Sequence, residues 1–135
     1  MAIESTLNEW EPRIRSVLRI AAGLLLLQHG TAKILGIPPM ENFANLQIAS
    51  LIGVAGLIEL IGGILFIIGL CTRPTAFILS GFTAVAYFMA HASKSFYPIL
   101  NGGELAALYS FVFLYFVFAG PGPWSLDHAL RGGRR

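Results

Sequence analysis

The side chains of this chain that could carry or release a proton stand in strongly apolar surroundings. Glu59 is the one charge in the stretch from Gly53 to Gly63, and the apolar run around it extends from about Ile48 to Leu70. His29 and Lys33 are four residues apart, so they share one face of a helix. A carboxylic acid, an imidazole and an amine can hold protons and hydrogen-bond a polar small molecule. The chemistry that these residues suggest is therefore proton transfer.

The position of Glu59 sets a condition on the rest of the chain. Its apolar run, at about 1.5 Å per residue, is long enough to cross a bilayer core of roughly 30 Å. An acid at the centre of a spanning helix costs roughly 2.5 to 3.5 kcal/mol, so Glu59 must be protonated, paired or directed into a polar cavity. Gly56 and Gly63 flank Glu59 on one helical stripe. Small residues there allow the backbone of a neighbouring helix to approach closely.

The composition predicts the class of this protein, and with it the helices that surround Glu59. The chain has 135 residues, of which 56% are hydrophobic and 12% charged, and its mean hydropathy is +0.71. We therefore expect one domain, an all-α integral membrane protein built as a bundle of four transmembrane helices. Hydropathy predicts spans at roughly 14–35, 48–70, 74–92 and 104–119, and a short C-terminal helix at roughly 125–130. The polar stretch before Pro12 is expected to lead into the first span.

The distribution of basic residues predicts the orientation. Under the four-span topology, the Lys and Arg residues divide into a group of seven and a group of two. The larger group lies on the side of both termini, which the positive-inside rule places in the cytoplasm. The seven are Arg13, Arg15, Arg19, Arg73, Arg131, Arg134 and Arg135, and the two are Lys33 and Lys94.

Other features of the composition exclude two kinds of chemistry. The single cysteine, Cys71, allows no intramolecular disulfide and no dithiol reaction within one chain. The isoelectric point is near 9.0, but no basic stripe is interleaved with aromatic residues, so we expect no nucleic-acid partner.

The predicted topology gathers polar side chains in the outer half of the bundle. Such groups normally face the bundle interior or a water-filled cavity, so we predict a pocket open to the extracytoplasmic side with Glu59 at its floor. Helix rise places His29 about 9 Å and Glu59 about 18 Å below the outer end. Direct pairing would need tilted helices, a late start of the second span or a bridging water. The other lining residues are Lys33, Tyr87, His91, Lys94 and Glu104.

Each of these residues also has a structural interpretation. Glu59 can be a protonated acid that fastens two helices, and Lys33 or Lys94 can extend to the lipid head groups. Asn101 and Glu104 have the spacing of an N-terminal helix cap.

Haem or metal ligation is a further alternative for the histidines. His29 and His91 could ligate a haem, although their estimated depths differ. His29, Glu59, His91 and Glu104 could bind a metal, but their spacing lacks the specificity of known metal motifs, and we predict no metal site.

Several motifs in this order and spacing resemble the DoxX family of small four-helix membrane proteins. The resemblance covers nearly the whole chain and implies a single bundle of four helices. The motifs are Leu18-Arg19, Gln28-His29-Gly30-x-x-Lys33 with Gly36, Glu59 with Gly62-Gly63, Gly69-Leu-Cys-Thr-Arg73, Gly102-Gly103-Glu104 and Gly120-Pro-Gly-Pro-Trp-Ser-Leu-Asp127.

The resemblance also implies a function and a location. The family is named for the membrane subunit of a thiosulfate to quinone oxidoreductase, which implies a quinone as substrate or electron acceptor. It further implies a multi-pass protein of the bacterial or archaeal plasma membrane. Because the chain has no flavin or nicotinamide fingerprint, electrons would come from the substrate or from a redox partner subunit.

We therefore expect the membrane component of a quinone-linked oxidoreductase, surrounded by membrane lipid and joined to a partner subunit or to further copies of itself. Glu59 and His29 are the expected catalytic residues because they handle protons. The alternative is a non-enzymatic carrier or assembly scaffold that binds a small molecule or a partner subunit. The expected substrate contacts are Gln28, Lys33, Tyr87, His91, Tyr97 and Glu104.

Overall fold

The computed structural model describes residues 1–132, so Arg134 and Arg135, counted above, lie outside the described part. This part contains helices, turns and loops but no strand, which confirms the all-α prediction. The α-helices of residues 1–132 are α1 (Ala2–Ile34), α2 (Leu51–Ile68), α3 (Thr72–Ala90), α4 (Pro98–Asn101), α5 (Glu104–Ala119) and α6 (Leu126–Leu130), with a 3-10 helix at Glu41–Phe43.

The chain divides into two compact units. The first contains residues 1–72 and 121–132, and the second contains residues 73–120. The first unit therefore holds α1, α2, the 3-10 helix and α6. Nearly all of α3, together with α4 and α5, forms the second.

The first helix is longer than the sequence predicted. It begins at Ala2, so the polar residues expected to lead into the first span belong to the same helix. The polarity of the residues before Pro12 indicates that they lie in more polar surroundings than the rest of α1. It does not indicate the start of the helix, because charged residues with helical spacing also stabilise a helix. Arg15 and Glu11 illustrate this support with contacts of 3.0 and 2.5 Å between their side chains.

The second helix begins later than predicted and has well-defined ends. Ser50 is its N-cap and accepts a hydrogen bond of 3.1 Å from the Gly53 backbone N–H. Gly69 ends it in a left-handed conformation, with φ of 70°, which glycine adopts without steric cost. In the described part, α2 is the one helix both long and apolar enough to cross a membrane by itself, and α5 is apolar but shorter.

Glycines bring α1 and α2 into close contact. A Cβ added at Gly56 would lie 2.8 Å from the Cβ of Lys33, and one at Gly63 would lie 3.2 Å from the Cα of Leu27. At Gly30, an added Cβ would overlap the backbone of Leu60. The stripe of small residues around Glu59 is thus buried against α1, as its spacing predicted.

A buried arginine holds the C-terminal segment to these two helices. Arg19 is 0% exposed, and its guanidinium donates to the carbonyls of Phe66 at 2.9 Å, Ile67 at 3.3 Å and Trp124 at 2.6 Å, and to that of Pro121. In the sequence, Arg19 counts among the basic residues that are expected to mark the cytoplasmic side. In the fold, its donors satisfy carbonyls that the end of α2 leaves without helical partners.

A second arginine acts in a similar way within the second unit. Arg73 donates to the carbonyls of Val117 and Phe118 at 2.8 and 2.7 Å, close to the C-terminal end of α5. A cation at this end also interacts favourably with the helix dipole. The hydroxyl of Ser80 on α3 donates to the carbonyl of Ser110 on α5 at 2.8 Å.

The close approach at Gly30 generates the first prediction. We expect Gly30→Ala to lower the stability of the purified protein in detergent by about 1 to 3 kcal/mol, because the backbone of α2 cannot yield as a flexible side chain can. Gly81→Ala is the matched control, since no atom lies within 4 Å of a Cβ added there. Thermal unfolding followed by circular dichroism measures both, and equal melting temperatures for the two variants would contradict the predicted contact.

Candidate functional site

The centre of the candidate site is an ion pair between α1 and α2. The Lys33 ammonium donates to Glu59 at 2.7 Å from Oε1 and 2.9 Å from Oε2, and the two side chains are 13% and 7% exposed. Of the three possibilities open for Glu59, the structure therefore shows pairing. Two short contacts to one carboxylate offset much of the cost of burying both charges.

The late start of α2 explains how this pair forms. Glu59 lies eight residues beyond Leu51, about 12 Å along the helix rather than the 18 Å estimated from the apolar run. Lys33 lies one residue before the end of α1, and its long stem reaches toward Glu59. Gly56, one turn before Glu59, leaves the space that the Lys33 stem fills.

The loop between α1 and α2 adds an aromatic ring to the pair. Phe43, in the 3-10 helix, has its ring centroid 5.7 Å from the Lys33 ammonium. A cation at this distance is attracted by the ring face. This contact of Phe43 is not predictable from the sequence, because a lone aromatic residue in a polar connection carries no spacing signal.

Five other polar or aromatic residues named in the sequence analysis lie on exposed positions. On α1, Gln28 and His29 are exposed although His29 is only one turn from Lys33. Tyr97 is 60% exposed, and Lys94 and Glu104 are also exposed. His29 and Lys33 therefore differ in burial although they share one face of α1, since Lys33 is largely buried and His29 is exposed.

A separate polar cluster in the second unit is centred on Asn101. This residue is 2% exposed, and its side-chain amide donates to the Tyr87 hydroxyl at 3.0 Å and to the Ser95 carbonyl at 3.1 Å. Its side-chain oxygen accepts from the Gly103 N–H at 2.8 Å. The structure thus brings Tyr87 and the 95–103 loop together, and satisfies a buried amide that would otherwise be costly.

His91 joins this cluster through the main chain. Its Nδ1 lies 3.1 Å from the Asn101 carbonyl oxygen. Because a carbonyl can only accept, Nδ1 carries the proton in this contact, and the neutral ring would have Nε2 as its acceptor nitrogen. The main-chain contact thus fixes one ring nitrogen of His91 against the end of α4.

The predicted capping role of Asn101 was wrong. Gly103 is the N-cap of α5, no side chain caps that end, and Asn101 instead closes the short helix α4. Glu104 occupies the first turn of α5, where its negative charge interacts favourably with the positive end of the helix dipole. Asn101 and Glu104 have the spacing of a residue that caps a helix and its partner in the first turn. Gly102 lies between them in a left-handed conformation, with φ of 72°, and ends α4 before α5 begins.

Asp127 is a polar residue that the sequence analysis assigned no role. Its Oδ1 and Oδ2 accept hydrogen bonds of 2.8 Å from the backbone N–H groups of Cys71 and Thr72, where α3 begins. Partial burial raises the pKa of Asp127, but these hydrogen bonds and the charge of Arg131 outweigh it, so the pKa lies below its ordinary value. The signal that could have suggested this role is an acid in an otherwise apolar and basic C-terminal segment.

No metal cluster accompanies these groups in the part of the chain that is described. No three His, Cys, Asp or Glu side chains of residues 1–132 gather as metal ligands. An open hollow of about 530 Å³ lies along α5, and its lining is mainly aromatic and aliphatic. The lining residues are Phe111, Leu114, Tyr115, Phe118 and Ala119.

Comparison with known proteins identifies the class. A model of the DoxX family matches residues 14–92, a segment that includes the Lys33–Glu59 pair. An uncharacterized protein of Haemophilus influenzae is 45% identical over 128 residues, which cover 92% of this chain and 96% of that protein. An uncharacterized membrane protein of Mycobacterium tuberculosis is 29% identical, over 84% of this chain and 78% of its own length. No solved structure matches.

The all-helical architecture and these relatives define a helical membrane protein. The chain belongs to the DoxX family.

The buried ion pair generates the second prediction. We expect Glu59→Gln or Lys33→Met alone to cost about 3 to 5 kcal/mol of stability, because each leaves a buried partner uncompensated. The double variant should recover most of this loss. The measurement is a double-mutant cycle from unfolding midpoints in detergent. The control is Glu11→Gln, which breaks the more exposed pair of Glu11 with Arg15 on α1. This change should cost less than about 1 kcal/mol of stability. Additive losses at 33 and 59 would show that the two side chains do not interact.

The hydrogen bonds of Asp127 generate the third prediction. Because the pKa of Asp127 is lower in the folded protein, its carboxylate contributes stability that is fully present above the unfolded-state pKa of about 3.9. That contribution is lost as the pH falls through the folded-state value. The melting-temperature difference between wild type and Asp127→Asn should therefore shrink below about pH 4. Glu104→Gln, which removes an exposed acid, is the control, and a pH-independent difference at position 127 would contradict the assignment.

Proposed function

We propose that this DoxX-family protein is the membrane component of a quinone-linked oxidoreductase. In this proposal it is a multi-pass protein of the bacterial or archaeal plasma membrane, with α1, α2, α3 and α5 as four spanning helices. Both termini lie in the cytoplasm. The apolar composition of α2 and α5 and the distribution of the basic residues support this topology.

The observation that carries the proposal is the buried Lys33–Glu59 pair. Reduction of a quinone to a quinol takes up two electrons and two protons, and negative charge develops on the quinone oxygens. An ammonium donates a hydrogen bond to such an oxygen, and the carboxylate beside it holds or passes on a proton. In a low-dielectric setting, both interactions are stronger than in water.

The other proposed site residues have supporting roles. His29, exposed on α1 one turn from Lys33, would exchange protons between the pair and the surroundings. Gln28, Tyr87, His91, Tyr97 and Glu104 remain proposed substrate contacts. The electrons come from a redox partner subunit or from the substrate itself, because none of the chain's motifs holds a flavin or nicotinamide.

The geometry also favours a second candidate, a non-enzymatic carrier or assembly scaffold. Glu59 lies in a stripe of glycines packed against α1, so its pair with Lys33 also fastens the two helices. In that case the ion pair would stabilise the bundle without touching a substrate. Quinone binding separates the two candidates.

The fourth prediction is a binding experiment. Saturable binding of a short-chain quinone to the protein in detergent should weaken about tenfold, or about 1.4 kcal/mol, in Lys33→Gln, Glu59→Gln and His29→Ala. Lys94→Gln, which removes an exposed lysine, is the matched control and should bind as wild type does. Circular dichroism of each variant establishes that helicity is unchanged.

Two outcomes would contradict the proposal. Absence of saturable binding to the wild type would favour the scaffold. Binding that is indifferent to positions 33 and 59 would mean that the pair is purely a structural fastening.

A further inference from the structure

The ammonium of Lys33 has a second partner besides Glu59, and this partner does not titrate. The ring centroid of Phe43 lies 5.7 Å from the ammonium nitrogen, within the roughly 6 Å at which a ring face attracts a cation. Glu59 contacts the same ammonium at 2.7 and 2.9 Å. The cation is therefore contacted by a carboxylate of α2 and by an aromatic ring of the loop that joins α1 to α2.

Backbone hydrogen bonds on both sides fix the position of Phe43. Its N–H donates to the Met40 carbonyl at 3.0 Å, and its own carbonyl accepts from the Leu46 N–H at 3.3 Å. Further along the loop, a Cβ added at Gly53 would overlap the main chain of residues 47–48, so the loop rests directly on the first turn of α2. Phe43 is half-buried, whereas its two chain neighbours are exposed. The ring thus belongs to a packed segment.

The two partners of Lys33 respond differently to proton transfer. When Glu59 takes up a proton, it loses its charge and with it most of its attraction for the ammonium. The face of the Phe43 ring keeps its negative potential whatever the protonation state of Glu59. The Lys33 side chain is only 13% exposed, and a buried cation without any partner is costly. Of these two partners, the ring is the one that remains.

We propose that Phe43 is a positioning residue, which keeps the Lys33 ammonium in the site while Glu59 carries a proton. The inference rests on the proposed function, because proton transfer through Glu59 is what creates this state. The ring then replaces the carboxylate as the anchor of the cation. The N–H groups that Glu59 no longer engages can donate to a quinone oxygen that gains negative charge. Phe43 acts on the substrate only through Lys33.

A purely apolar cover at position 43 would have different physical properties. A cover excludes water from the ion pair by its size and shape. Attraction of a cation depends instead on the electron density of the ring face. Fluorine substituents withdraw that density and nearly preserve the shape of the ring. Ring fluorination therefore distinguishes an anchor for the cation from a cover.

The fifth prediction concerns the accessibility of Lys33 to an acetylating reagent that attacks amines. Phenylalanines with an increasing number of ring fluorines are incorporated at position 43, and acetylation is followed by mass spectrometry of the protein in detergent. Acetylation of Lys33 should become faster with each added fluorine, by about tenfold over the series, because a weaker anchor releases the side chain more often. Lys94, the other lysine of the chain, is exposed and provides the internal reference.

The same series in a Glu59→Gln background tests the anchor without the carboxylate charge. Lys33 should be acetylated faster overall in this background, and the rate should again rise about tenfold with fluorination. A flat series there, or unfolding of the Glu59→Gln variant while Phe43 is intact, would overturn the proposal, because the ring would not hold the cation without Glu59. A flat series in the wild-type background would overturn it as well, since Phe43 would then be a cover.

Two controls and a second readout complete the experiment. Fluorination of Phe96, an exposed residue whose ring packs edge-on against Tyr97, should leave the acetylation of Lys33 unchanged. Phe43→Tyr keeps the ring face and should behave as the wild type does. Quinone binding should weaken with fluorination at position 43. If the wild type binds no quinone, the proposed function fails, whereas the acetylation series still decides whether Phe43 anchors Lys33.

Discussion

The burial of one carboxylate, Glu59, is the constraint on which the arrangement of the first unit depends. A buried acid requires a compensating cation, and Lys33 reaches it only because glycines let the two helices approach closely. The N-cap at Ser50 sets where α2 begins and therefore the height at which Glu59 meets α1. The aromatic ring of Phe43 then lies over the cation. Packing, capping and electrostatics thus act together at one pair.

A second theme is the satisfaction of helix ends by distant side chains. Arg19 donates hydrogen bonds to carbonyls at the end of α2 and in the C-terminal segment, and Asp127 accepts hydrogen bonds from two backbone N–H groups near the start of α3. Arg73 does the same for α5. Backbone groups at helix ends have no helical partner, and apolar surroundings offer no water to replace one. Charged side chains therefore satisfy helix ends, and Arg19 does so from inside the fold.

The two sides of α1 have different surroundings. The side with Arg19 and Gly30 builds the fold and carries the Lys33 end of the candidate site. The opposite side is apolar, regular and uncovered.

The amino-acid sequence by itself determined the all-helical class, the family and the importance of Glu59, because these depend on hydropathy, helical spacing and motif order. It also indicated the glycine stripe, since the interval of three and four residues defines one side of a helix. The ends of α1 and α2 were less predictable. Polarity does not stop a helix, and a cap such as Ser50 competes with an apolar run that continues past it.

Only the tertiary structure decided which charges meet. Lys33 and Glu59 are 26 residues apart, and Arg19 and Trp124 are 105 residues apart, distances at which spacing along the chain carries no information about contact. The same limit explains why Asn101 was taken as a cap, whereas the fold makes it the centre of a cluster with Tyr87 and His91. Local patterns report which side of a helix is apolar. The partner of a buried polar group depends on how separate helices approach, which is a property of their packing.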